Sequence, residues 1–390
     1  MQLMFGDYYM SFSFYMSKAR GVLAIFLFLP FLVSAQKGVI SGIVSADSIP
    51  ISGVKIFLNN SSYSAISDRL GAFTIRDLAP GSYELVAVAK GYSQYTKTIS
   101  VSDQSVKLNI ELSKNAIQLN VVTISGLTKS EWNKYFNQFK AELIGDDENS
   151  FYCSIINPEV VNINYHKREN VIDVSTDEFL IIDNKALGLR VKFLIKSFKM
   201  NLNFTTTTYL GNMLFEDIDT NDMVKARWTE NRAKAYFGSP IHFYRSLSRN
   251  ELESDGFEIY EIKRNSKKNI TKISSLEMFD LYGQIQNKNR LSGKDLMKPT
   301  DQPGIFSLTF ANCLFVIYKS KIKDFRPNVY PPSNYEFSVI SNVDNEPKTI
   351  FSFDSNGVVI GSPPFYQGRW SENRLSNMLP FNYVPGKYPK

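Results

Sequence analysis

The sequence predicts a small N-terminal β-sandwich followed by a larger α+β domain built on antiparallel sheet. Three observations carry this. Six short apolar runs between residues 38 and 112 are punctuated by Gly, Pro, Asp and Ser, the spacing of an all-β sandwich. In the last run Val106, Leu108, Ile110 and Leu112 alternate with Lys107, Asn109 and Glu111, the period of a strand with one buried face. Beyond residue 126, helix caps and a stripe at helical spacing are interspersed with strand-like runs, which a pure β fold would not carry.

Taken in order, the chain opens with a targeting signal. Met16 is a better start than Met1, because Ser17-Lys18-Ala19-Arg20 then forms a basic n-region. Gly21 to Val33 is uncharged and mostly apolar, and Val33-Ser34-Ala35 suits cleavage before Gln36. That apolar run is shorter than the ~20 residues a membrane helix needs. The expected division is 1–35 signal peptide, 37–113 sandwich, 114–150 strand and helical linker, and 151–390 α+β domain. The protein is then exported, to the periplasm or the outer-membrane periphery, with no transmembrane helix after signal cleavage.

The expected sandwich strands are Val39–Val44, Val54–Leu58, Ala72–Ile75, Tyr83–Val88, Thr96–Val101 and Val106–Leu112. Asp68-Arg69-Leu70-Gly71 reads as a hairpin turn and Ala79-Pro80-Gly81 as a second turn. The order Gly42-Ile43-Val44, Gly53-Val54, Asp68, Gly71-Ala72-Phe73, Leu78, Pro80-Gly81-Ser82-Tyr83 and Gly91-Tyr92 resembles the carboxypeptidase regulatory-like domain, a transthyretin-like (Ig-like) sandwich. The resemblance implies an accessory module of exported proteins, and implies location and architecture more than activity. Tyr63, Tyr83, Tyr92 and Tyr95 are candidates for an aromatic ligand surface. Packing of Tyr83 and Tyr92 at sandwich corners is the simpler reading.

Val121–Gly126 reads as a strand leaving the sandwich. A helix starts near Ser130 as cap, with Trp132, Phe136, Phe139 and Leu143 on one stripe. A hairpin over Val160–Tyr165 and Val171–Val174 follows, then strands Phe179–Ile182, Leu189–Ile195 and Asn201–Tyr209. Asn221-Asp222 caps a helix reaching Tyr236, and Ser239-Pro240 starts another, with Gly256 as its stop. Strand returns over Phe257–Ile262. Lys263–Lys298 is polar and basic, an exposed insertion. Ile305–Tyr318 and Thr349–Ile360 are late strands, with a turn at Asp354-Ser355-Asn356-Gly357. This half is similar to exported proteins that carry the same sandwich, through Asn157-Pro158, Ile182-Asp183-Asn184, Leu187-Gly188, Tyr209-Leu210-Gly211, Tyr236-Phe237-Gly238-Ser239-Pro240, His242-Phe243 and Leu379-Pro380. The resemblance implies no catalytic residues.

Composition and motifs narrow the chemistry. Net charge is +6 with Lys and Arg interleaved among Asp and Glu, so no basic stripe for nucleic acid is present. His166 and Glu169 have zinc-ligand spacing, and His242 is the only other histidine. The pair falls in a hairpin turn, where both side chains would be solvated. Asp217-Ile218-Asp219-Thr220-Asn221-Asp222 begins like a calcium loop but lacks the Gly at its sixth position and the Glu at its twelfth. No phosphate loop or nucleophile elbow occurs. Cys153 and Cys313 read as two buried thiols, with one disulfide as the alternative.

The sequence therefore predicts a non-enzymatic cell-envelope binding or assembly protein with no catalytic, cofactor-binding or metal site and no cofactor. An envelope protein or polysaccharide is its expected partner. The alternatives are a hydrolase of a wall polysaccharide or exported peptide, and an accessory to TonB-dependent uptake.

Overall fold

Asp68 closes a turn of the N-terminal region, its carboxylate accepting the backbone N–H groups of Leu70 and Ala72 at 2.8 and 2.9 Å. Gly71 completes it at φ +72, against the Val44 carbonyl. This computed structural model describes residues 37–102, 105–115, 126–203, 206–263, 275–285, 288–319, 335–341, 348–361 and 364–386. The leader and the expected strand at Val121–Ser125 lie outside the described residues. The compact unit begins at Gly38.

Among the described residues eight strands build the sandwich: β1 (Gly38–Ala46), β2 (Ile49–Pro50), β3 (Lys55–Leu58), β4 (Ser64–Ile66), β5 (Ala72–Leu78), β6 (Gly81–Val88), β7 (Tyr95–Val101) and β8 (Val106–Glu111). One sheet holds β2 and β5 beside β1, with β8 on the other side of β1 and parallel to it. The second is antiparallel, in the order β4-β3-β6-β7. The Asp68–Gly71 turn therefore crosses from one sheet to the other, rather than closing a hairpin as expected. Ile40, Val44, Ile56, Leu58, Leu85 and Ile110 are fully buried between the sheets.

Helix α1 (Lys129–Ile144) starts at Thr128, not Ser130. Thr128 and Glu131 form a capping box, each side chain satisfying the other's backbone N–H. Phe139 and Leu143 are buried, Trp132 and Phe136 stack on each other at 4.8 Å, and Phe139 meets Phe198 edge-on. The helix packs on a six-stranded antiparallel sheet of β9 (Cys153–Ile155), β10 (Val161–His166), β11 (Val171–Thr176), β12 (Leu180–Asn184), β13 (Leu189–Asn201) and β14 (Thr206–Asp217). The expected strand at 201–209 is thus the end of β13 and the start of β14. A register shift between Ile195 and Ser197 marks a bulge in their long pairing.

Helix α2 (Asp222–Tyr236) is capped by Asn221 and α3 (Pro240–Ser248) by Ser239, both as the sequence predicts. The second of these ends at Ser248, earlier than Gly256. Then come β15 (Phe257–Ile262), α4 (Ser275–Gln284), α5 (Gly293–Leu296), β16 (Met297–Pro299), β17 (Ile305–Ala311), β18 (Cys313–Lys319), β19 (Tyr335–Ser341), β20 (Lys348–Asp354), β21 (Val359–Ile360) and β22 (Phe365–Gly368). Ile285 and Leu296 are buried, so the expected insertion at 263–298 contributes to the core.

Asn312, at φ 55, divides the run read as one strand. β18 pairs with β19 and β17 with β20, so one ribbon serves two sheets, ordered β15-β18-β19-β22 and β16-β17-β20-β21. Phe243, Tyr244 and Leu247 of α3 are buried among Phe257, Leu308, Val316 and Phe353 from both. Cys153 and Cys313 remain separate buried thiols in different sheets.

Candidate functional site

β3 reads Lys-Ile-Phe-Leu, so Phe57 follows Lys55 on one face and Ile56 and Leu58 share the other. Ile56 and Leu58 enter the sandwich core, while Phe57 points out of it, and Val86 does the same on β6. These two meet Leu214 of β14, with Phe179 and Leu194 packed around them, and the Phe57 and Phe179 rings lie 5.8 Å apart. All three central side chains have no exposed surface. The sandwich is therefore seated on the six-stranded sheet by a dry apolar joint.

Backbone pairing reinforces it. Asn60 N–H donates to Met213 O at 2.8 Å and Phe215 N–H to Ser61 O at 2.9 Å, so the turn after β3 covers the outer edge of β14. Asn59 Oδ1 accepts Met213 N–H at 2.8 Å. Glu216 is held between Lys55 at 3.1 Å and Lys192 at 2.8 Å.

The C-terminal segment crosses the same joint. Leu375 and Leu379 are buried in the core beneath α1, while Phe381 is buried in the sandwich core beside Tyr83 and Tyr63. Phe381 N–H donates to Asn60 O at 2.8 Å. Arg245 of α3 gives its guanidinium to the carbonyls of Asn356 at 2.9 Å, Tyr383 at 2.8 Å and Phe381. With those donors spent on backbone, Arg245 fastens the tail.

A cleft of about 510 Å³ opens at this junction. Tyr63 and Tyr83 line it from the sandwich, and His242, Arg249, Asp255 and Asn356 from the other half. Tyr83 is only 2% exposed, and its hydroxyl donates to Ala79 O at 2.5 Å. Burial pushes its phenol well above the ordinary range, as burial and then Asp77 do for Tyr63, so both hydroxyls stay protonated. Tyr92 and Tyr95 sit at the opposite end of the β6–β7 hairpin, half-buried against the sandwich core. The four candidate tyrosines therefore form two separate pairs.

Asp255 organises the polar side of the cleft. Its carboxylate takes the Ser246 hydroxyl at 2.5 Å and Arg249 at 3.4 Å, with His242 Nε2 at 3.7 Å. His242 Nδ1 accepts Gly238 N–H at 3.1 Å. The acid, rather than the imidazole, holds the serine, which is not the order that activates a nucleophile.

The other candidates are dispersed. His166 and Glu169 are exposed at the β10–β11 turn, while His242 is buried in α3. Among the described residues no group of three or more His, Cys, Asp or Glu could hold a metal ion. Asp217 pairs with Arg232 at 2.6 Å and Asn221 caps α2.

Several short motifs of the second half are locks. Asn184 Oδ1 accepts the N–H groups of Ala186 and Leu187, and its amide donates to Ser376 O at 2.8 Å. Asp183 takes Arg190 in a two-pronged pair. Asn157 holds Ile181 N–H and Phe179 O. Gly238 lies against Tyr318 at φ +84, its carbonyl accepting Trp370 Nε1 at 2.7 Å. Sequence reasoning missed the joint itself; Phe57, an apolar side chain on the face opposite Ile56 and Leu58, was its signal.

Residues 40–124 match the family model of the CarboxypepD_reg-like domain. Similar solved structures include a type II Cohesin-X-Dockerin complex of Acetivibrio cellulolyticus, at 21% identity over 19% of this chain and 56% of that one, TM-score 0.18. The minor pilin of Streptococcus agalactiae follows at 17% identity over 20% and 45%, TM-score 0.19. The major pilin subunit of Bacillus cereus matches at 19% identity over 20% and 31%, TM-score 0.17. This chain spans about half the length of the first two structures it matches. No curated protein matches it.

Proposed function

We propose that this chain is a non-enzymatic binding or assembly protein of the bacterial cell envelope, carrying its carboxypeptidase regulatory-like sandwich as a fixed wall of the binding surface. The supporting observation is the junction cleft, which takes Tyr63 and Tyr83 from the sandwich and Arg249 and Asp255 from the other half. A spacing module would hang from a linker; this one is seated through Phe57, Val86 and Leu214. Asn157, Asp183 and Asn184 support the same reading, since their polar groups are committed to holding loops and strands. Export, with residues 1–35 as signal peptide, places the protein in the periplasm or at the outer-membrane periphery. Among the described residues no helix is long and apolar enough to cross a membrane. The partner is then an envelope protein or polysaccharide reaching the cleft past the exposed Val384.

The test is crosslinking capture from envelope fractions with the full exported chain, beside Tyr63→Ala and Val384→Asp. Capture that both variants reduce is the expected result, with melting unchanged for Val384→Asp. Absence of any retained protein or polysaccharide, or turnover of a wall polymer by the purified chain, would overturn the reading.

A further inference from the structure

Phe237, which also borders the junction cleft, lines a second cavity of about 310 Å³ between the end of α2, the start of α3 and the C-terminal segment. Its walls are unlike those of the junction cleft, because amide side chains from distant parts of the chain converge there. Asn149 donates to Asn377 Oδ1 at 2.8 Å, which leaves its own carbonyl oxygen and the Asn377 amide hydrogens to the cavity. Asn231 spends an N–H on Ala186 O at 2.9 Å and keeps its carbonyl oxygen. The Asn373 side chain bonds to none of the described residues. Glu336 lies 3.8 Å from Arg369, beyond hydrogen-bond distance, so both keep polar capacity for a third group.

The charged lining is Lys234 and Arg369 against Asp147, Glu148 and Glu336, an excess of one acid, and Asp147 is already held by the N–H groups of Asn149 and Ser150 and by the Ser376 hydroxyl. A phosphate or carboxylate ligand would need a surplus of cations, and an apolar ligand would leave these groups unpaired at a cost. Matched donors and acceptors on planar amides suit a ligand whose every hydroxyl both gives and takes a hydrogen bond. Phe237 and Trp370 supply apolar wall for the C–H face of a ring. The volume is at the small end of ligand sites. We propose that this cavity binds a neutral sugar unit. The site shares the Phe237 wall with the junction cleft but none of its polar groups, and failure of partner capture with sugar binding intact would sink only the earlier reading.

Saturation-transfer NMR on the full chain tests it, with glucose, galactose, N-acetylglucosamine and maltose as probes and inorganic phosphate as competitor. Transfer to at least one sugar is expected, undiminished by phosphate. Asn373→Ala should weaken it about fivefold, the loss of roughly one hydrogen bond. Arg369→Met should weaken it as well, and Tyr63→Ala should leave it unchanged. No transfer to any of the sugars, displacement by phosphate, or indifference to both Asn373→Ala and Arg369→Met would overturn the proposal.

Discussion

Gly188 sits at φ +66 beneath the Trp228 indole, where an added Cβ would come within 2.0 Å of the ring. The ring is pinned by its own bond, Nε1–H to Lys185 O at 2.7 Å, so it has little freedom to move aside. Gly188→Ala should cost about 2–4 kcal/mol from backbone strain and overpacking together. Gly53 has the same hand of backbone, at φ +76, with nothing within 4 Å, and Gly53→Ala should cost only about 1 kcal/mol. Thermal melts of the two variants compare them, and equal losses would contradict this account of the Trp228 contact. Cys153 offers a chemical test at the same scale. Burial, reinforced by Asp147, pushes its thiol up to about 12, so the folded protein holds almost no thiolate near neutral pH. Alkylation at about pH 8 should be slow until the chain unfolds. Burial in this state favours the protonated thiol, so the stability it contributes is present below the ordinary thiol pKa and is lost as the pH rises toward the folded value. Rapid labelling of the native chain, read by mass spectrometry, would refute the burial.

Helix α1 depends on its ends as much as its face. Thr128 accepts Glu131 N–H at 3.2 Å while Glu131 takes Thr128 N–H at 2.8 Å, and that reciprocity decides where the helix begins. Thr128→Ala should destabilise the protein by about 1 kcal/mol, whereas Ser130→Ala should be nearly silent. Denaturant midpoints for the two variants would show the reverse order had Ser130 been the cap. The ribbon of β17 to β20 makes a different point about elements. One apolar run bends at Asn312 and so serves two sheets, giving α3 walls from both. Periodicity alone reads Ile305–Tyr318 as a single strand, because every residue in it but Ser307, Ala311 and Asn312 suits a strand, and the bend shows only in the pairing of β17 with β20 and of β18 with β19.

Across the whole molecule, Phe381 couples parts that are distant in sequence. It fills the sandwich core while Leu375 and Leu379 fill the core under α1, six and two residues earlier in the same segment. Phe381→Ala should cost about 3 kcal/mol and lower the melting of both regions together. Hydrogen exchange would show whether β6 and β13 lose protection in step; loss confined to β6 would mean the tail does not couple them. Glu216 adds a pH handle to the joint. Its partial burial raises the carboxyl pKa, but Lys192 and Lys55 outweigh that and hold it below the ordinary range. The stability it contributes is present above the ordinary carboxylate pKa and is lost as the pH falls through the lower folded value. With the pair about a third exposed, Glu216→Gln should cost no more than about 1 kcal/mol at neutral pH. The cost should vanish in acid, so melting of the two proteins should converge there; parallel curves would remove Glu216 from the joint's acid response.

The one-dimensional pattern determined what is local: the sandwich strands, the caps at Asn221 and Ser239, and the hairpin over Val160–Val174. Each depends on residues a few positions apart, whose turn chemistry and alternation are visible in order. It also carried the alternation that buries Ile110 and Leu112. Only tertiary structure decided that β8 runs parallel to β1, that Phe57 and Leu214 share a joint, that Phe381 returns to the sandwich, and that Asn149, Asn231, Asn373 and Asn377 face one cavity. Those contacts bridge up to several hundred residues, and burial between distant partners leaves no period in the chain; its one local trace was an apolar side chain, Phe57, on a face that otherwise had no reason to be dry.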